Sequence, residues 1–145
     1  MTTNKLQLNE NKTEVLLIRS RFDVSVCPIE HINVGSAVIQ PIDSARNIGV
    51  IFDNTLQFNK HVIVTCRGTY LQINRIGRIR KYLSFKICLT LVLFTIITKL
   101  DYCNSLLYGL PKTQISLLQR AQNSAARLVA PSSHFTARLR ITYPN

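Results

Sequence analysis

The chain has 145 residues, of which 46% are apolar and only ten are Gly or Pro, and it carries a net charge of +11. That length allows one ordinary domain or two small lobes, and the apolar share excludes a disordered composition. Four cysteines (Cys27, Cys66, Cys88 and Cys103) never come closer than 15 positions, so no CxxC metal pair exists. No secretory leader is seen at Met1, which leads us to expect reduced thiols in an intracellular protein, nuclear or cytoplasmic and not secreted.

The first third reads as β-structure. "TEVLLIRS" is an apolar run of strand length, rich in Val, Ile and Leu. "HINVGSAVIQ" sets Gly35-Ser36 between two β-branched segments, the pattern of a hairpin turn. "RNIGVIFD" reads as a further strand with Gly49 inside it, where a glycine marks a bulge or a close backbone approach. Asp53-Asn54 then closes that strand as turn residues.

After residue 58 the periodicity becomes helical. From Asn59 to about Lys81, a rotation of about 100° per residue gathers Val62, Cys66, Ile73 and Ile76 on one side. Lys60, Arg67, Arg78 and Lys81 fall on the opposite side with Arg75 at its edge, so the polar face reads as almost purely cationic. Ile63, Tyr70 and Arg80 depart from that division, and Gly77 is a candidate break.

From Phe85 to Leu100 eleven of sixteen residues are apolar, with Ser84 available as N-cap. The uncharged run Ile87 to Thr98 is twelve residues long, whereas a bilayer span needs about 20, so this segment reads as a buried core helix with no membrane role. It is expected to continue through Asp101 towards Leu107, with Gly109 as its C′ residue and Pro111 starting the next helix. In that helix Ile115, Leu118, Gln122, Ala125 and Val129 recur at spacings of three and four. Ala121, Ala125 and Ala126 allow close packing against the preceding apolar helix, and Pro131 ends the element. Arg120 and Arg127 share the outer face.

Together these elements predict an α+β chain: a small antiparallel sheet or hairpin region over 1–56, a basic three-helix lobe over 57–130, and an irregular tail over 131–145. Charge follows the same division. Residues 1–53 hold five Lys/Arg and six Asp/Glu, whereas 54–145 hold thirteen Lys/Arg and one acid, Asp101. A lobe so poor in acids is suited to a polyanionic partner, because an ordinary soluble surface mixes both signs.

Catalytic patterns are missing. His31, His61 and His134 lie far apart, and no G-x-S-x-G elbow or Gly-rich phosphate loop occurs. The acids nearest each other, Glu10 and Glu14, stand on opposite sides of a loop-to-strand junction and offer no carboxylate pair for two-metal chemistry. Asp53 and Asp101 read as turn and cap residues.

Four stretches, "NKLQLNENKTEVLLI", "RNIGVIFDNTLQFNKHV", "IGRIRKYLS" and "KLDYCNSLLYGLPKTQISLLQRAQNSAARLV", occur in the order of a known family. Together they resemble the reverse transcriptase (RNA-directed DNA polymerase) of non-LTR retrotransposons, the jockey-like long interspersed elements. The resemblance runs from about Asn4 to Val129. It implies the end of a palm followed by a thumb that grips the template–primer duplex. Lys12 would match the palm lysine near the incoming nucleotide. The segment Asn47 to Asp53, with Asn47 and Gly49, would match the primer-grip hairpin. The expected nucleic-acid contacts are therefore Lys12, Asn47, Gly49, Lys60, Arg67, Arg75, Arg78 and Lys81, on an RNA–DNA or DNA duplex. The intact family enzyme uses Mg²⁺, held by an Ala-Asp-Asp box that lies upstream of the matching part, so no catalytic residue and no cofactor is assigned here. A fragment without polymerase activity is the expectation. Its half-palm strands would offer an edge for self-association, which makes a protein-interaction module or a functionless element remnant the alternatives. The family's closing His-Ile-Thr-Pro and Leu-His-Trp-Leu-Pro stretches have only a faint counterpart in "SSHFTARLRITYPN", and the chain has no Trp.

Overall fold

The computed structural model describes residue 9 and residues 12–20, 29–35 and 37–130. The tail over 131–145, Pro131, His134, Cys27, Glu10 and Ser36 of the expected hairpin turn lie outside the described residues. The chain is α+β and divides into two compact units, Met1–Phe58 and Asn59–Asn145, two residues past the boundary read from the sequence.

Among its described residues, the first unit holds three two-stranded pairs. β1 (Val15–Leu16) runs parallel to β4 (Pro41–Ile42), while β2 (Ile32–Val34) and β3 (Ala37–Ile39) form an antiparallel hairpin around Gly35. β5 (Ser44–Asn47) and β6 (Val50–Asp53) form a second antiparallel hairpin, with Ser44 opposite Asp53 and Asn47 opposite Val50. "RNIGVIFD" is thus not one strand with an internal bulge. Ile48 and Gly49 both have positive φ, 47° and 81°, the signature of a two-residue type I′ turn whose twist matches that of the flanking strands. Gly49 adopts that conformation without a Cβ clash; Ile48, a β-branched residue, does so at a cost. Asp53 closes β6 as expected: its Oδ1 accepts from the Gln57 N–H at 2.8 Å and from the Thr55 hydroxyl at 3.3 Å.

The second unit is a lobe of three helical rods. α1 (Asn59–Ile79) buries Val62, Thr65, Cys66, Thr69 and Ile76, a face set by the three- and four-residue spacing of its small and apolar residues. A 3₁₀ turn (Arg80–Tyr82) leads to Ser84, whose hydroxyl caps the next helix by accepting from the Ile87 N–H at 3.4 Å.

The second rod is α2 (Phe85–Val92), a π-turn (Leu93–Ile97) and α3 (Thr98–Asp101) in continuous succession. Its buried residues Cys88, Val92, Ile96 and Leu100 repeat strictly every four positions. In a straight α-helix a four-residue step over-rotates by about 40°, so such a strip would wind off the core. The wider π-turn, closed by the Thr98 N–H donating to the Leu93 carbonyl, takes up that excess and keeps the strip on one side. The rod is less buried than its composition suggests. Phe85, Ile87, Leu93 and Phe94 are exposed, the last at 73%, because a helix in a three-rod lobe has only one stripe of neighbours. It also stops at Asp101 instead of continuing towards Leu107: Cys103 is left-handed at φ 58° and a 3₁₀ turn (Asn104–Leu107) follows.

Gly109, at φ 78°, and Pro111 then start α4 (Lys112–Val129), which buries Gln114, Leu118, Ala121, Gln122, Ala125 and Val129. Asn59 and Gln114 hydrogen-bond at the starts of α1 and α4, and Arg80 reaches Leu128 and Val129 at their ends, so these two rods run parallel. Cys88, at the start of α2, lies beside the Leu128 carbonyl, which makes the second rod antiparallel to α4. α4 as a whole has α1 as its principal neighbour and also packs against the apolar rod that precedes it. The Arg80 guanidinium fixes that pairing: Nε donates to the Leu128 carbonyl at 2.9 Å, Nη2 to that of Val129 at 3.3 Å and Nη1 to that of Leu83 at 3.2 Å. Carbonyls in the last turn of a helix have no partner of their own and carry the negative end of its dipole.

Candidate nucleic-acid interface

The residues singled out from the sequence fall into two groups, one in each unit. In the first unit Lys12 is exposed in a short turn, with its N–H donating to the Asn9 carbonyl at 3.1 Å. Asn47 ends β5 and Gly49 occupies the adjoining turn; both are exposed. Ile48 between them stands 79% exposed at the hairpin tip.

In the second unit Lys60, Arg67, Arg75 and Arg78 all lie on α1 and all are exposed. Because they sit one or two positions out of step with the buried set, rotation at about 100° per residue puts Lys60, Arg67 and Arg78 in one row opposite the core. Arg75 stands beside that row. Arg67, Arg75 and Arg78 make no hydrogen bond or ion pair among the described residues. Lys81 has left the helix: it belongs to the 3₁₀ turn, and its ammonium sits 4.8 Å from the centre of the Tyr82 ring. Arg80, which departed from the sequence pattern, is spent on the end of α4 and is half-buried.

The outer face of α1 is not purely cationic. Ile63, Val64, Tyr70 and Leu71 are exposed among the basic residues, so the surface is a cationic row flanked by apolar columns. Sequence reading also missed Lys99. This residue of α3 is exposed, and its ammonium lies directly over Gly68 of α1. The signal that could have found it is Gly68 itself, a glycine in the middle of a long helix.

Among the described residues no group of three His, Cys, Asp or Glu side chains could hold a metal ion. No helix among the described residues is long and apolar enough to cross a membrane. Compared with known proteins, the chain matches no family model, no curated protein and no solved structure.

Proposed function

We propose that the chain derives from a reverse transcriptase of the non-LTR retrotransposon type and that its helical unit grips a nucleic-acid duplex without polymerising it. The observation that carries this reading is the solvent-exposed cationic row of Lys60, Arg67 and Arg78 along one 21-residue helix, in a lobe with Asp101 as its one acid. Cations spaced along a helix meet successive phosphates, and each phosphate neutralised releases condensed counterions. Such contacts position the protein on the duplex and read no sequence. The hairpin at Asn47–Gly49 and the exposed Lys12 are consistent with the primer-side roles that the family resemblance implies. Catalysis would need the aspartate box, and no Asp-Asp pair occurs in these 145 residues.

The test is binding of the full chain to a labelled RNA–DNA hybrid across a salt series. Reversing Arg67, Arg78 and Lys81 to Glu should abolish binding, whereas replacing each by Gln should flatten the log–log salt slope by about 2.7 in all, three times about 0.9. Unchanged binding by the triple reversal refutes the assignment of that face.

One observation favours a second reading, a protein-interaction module. On the second rod Ile87, Leu93 and Phe94 are exposed, and Thr90, Thr95 and Thr98 turn their hydroxyls back onto the Lys86, Leu91 and Phe94 carbonyls. Their methyl groups are then left to the outside, which makes the surface more apolar than its sequence. A defined dimer that persists in high salt and is lost in Phe94→Glu would support this reading over the first.

A further inference from the structure

We infer that Lys99 belongs to the same phosphate-binding surface as the α1 cations, seated there by the missing side chain of Gly68. The inference rests on the nucleic-acid reading above. α3 is part of a different rod from α1, so nothing in the periodicity of α1 calls for a cation from this direction.

The geometry does. A Cβ built on Gly68 would collide with the Lys99 Nζ and would stand 3.4 Å from its Cε. Gly68 is inside a helix and does not have positive φ, so the backbone does not require glycine there. A glycine in a helix interior costs about 1 kcal/mol relative to alanine. What it supplies is room, and a cation occupies that room. At Gly77, the other glycine of α1, the nearest atom is Leu128 Cδ1 at 3.8 Å, an ordinary apolar contact.

Electrostatics gives the placement its meaning. Gly68 follows Arg67, and rotation at about 100° per residue puts it within about 20° of Arg75. The Lys99 ammonium therefore stands on the flank of α1 that carries Arg75 about two turns, or about 10 Å, further along, and it has no hydrogen-bond or ion-pair partner among the described residues. A phosphodiester would supply that partner, and Lys99 would widen the contact from one row to a band reaching round to the Arg75 edge.

The experiment uses the full chain and the RNA–DNA hybrid, with melting temperatures measured to confirm folding. Lys99→Gln is expected to lower the log–log salt slope by about 0.9, as Arg67→Gln does, and Lys99→Arg to preserve it. Arg120→Gln, on the exposed face of α4, serves as the reference for charge removed elsewhere and should leave the slope unchanged. Gly68→Ala alters no charge yet displaces the ammonium, so in that background Lys99→Gln should have a smaller effect. If Arg67→Gln flattens the slope and Lys99→Gln acts only as Arg120→Gln does, the inference fails and the α1 reading stands. If neither Arg67→Gln nor Lys99→Gln changes the slope, the nucleic-acid reading itself fails.

Discussion

Removing the Arg80 side chain should loosen the end of α4 although Arg80 belongs to a turn 48 residues earlier in the chain. Its guanidinium supplies one well-formed bond at 2.9 Å to the Leu128 carbonyl and two longer ones at 3.2 and 3.3 Å. A hydrogen bond to a charged group contributes about 1.5–3 kcal/mol, and Arg80 is only half-buried, so the two longer bonds add little beyond the cost of ordering the side chain. Arg80→Ala should therefore destabilise the helical unit by about 2–3 kcal/mol. Arg80→Lys keeps the charge against the helix dipole but loses the fork that reaches two carbonyls at once, and should cost about half as much. Arg78→Ala, two residues away on the open face, should stay within about 0.5 kcal/mol of the parent. Urea unfolding followed by helical circular dichroism measures all three, with a shift of midpoint at constant slope. Hydrogen exchange should quicken at residues 126–130 in Arg80→Ala and not in Arg78→Ala. Equal midpoints for the two alanine variants would refute the clamp.

Other substitutions test separate parts of the structure. The Thr69 hydroxyl is fully buried with no hydrogen-bond partner among the described residues, so Thr69→Val should raise stability by about 1 kcal/mol, read from the same urea transition. Ile48→Asn turns the strained hairpin tip into the favoured Asn-Gly pair; it should raise the thermal midpoint of the first unit, by a gain of about 1 kcal/mol. Burial pushes the Cys66 thiol above its ordinary range, so in that range the unfolded chain gives up its proton first. Stability from Cys66 is thus complete below the ordinary thiol value and lost as pH rises towards the raised one; Cys66→Ala should flatten this alkaline loss in unfolding curves taken across that window. With Cys27 replaced by Ser, a thiol reagent at neutral pH should modify the half-buried Cys103 ahead of the buried Cys66 and Cys88.

Much of the helical unit was legible because its signals are local. Asn59 as a start, Ser84 as a cap and Pro111 ahead of α4 each depend on a few neighbouring residues, and each stands where the sequence put it; Gly109 is left-handed, but it follows a 3₁₀ turn and does not end the expected helix. The same holds for Leu118, Gln122, Ala125 and Val129 of the α4 core, where Gln114 is buried and Ile115 only half-buried, and for the row of Lys60, Arg67 and Arg78, since both follow from 3.6 residues per turn. The hairpin at Ile48-Gly49 was harder to read because an isoleucine stands where turn chemistry asks for Asn, Asp or Gly.

What the sequence determined by itself is therefore the α+β order, the basic lobe of three rods and which residues of α1 point away from its core, because backbone periodicity and charge are properties of short segments. Only the tertiary structure decided the rest. The π-turn answers a packing demand of neighbouring rods, Arg80 finds its acceptors on a helix far along the chain, and Lys99 reaches α1 across the notch at Gly68. Each depends on two segments meeting in space, and no periodicity within one of them encodes where the other will lie.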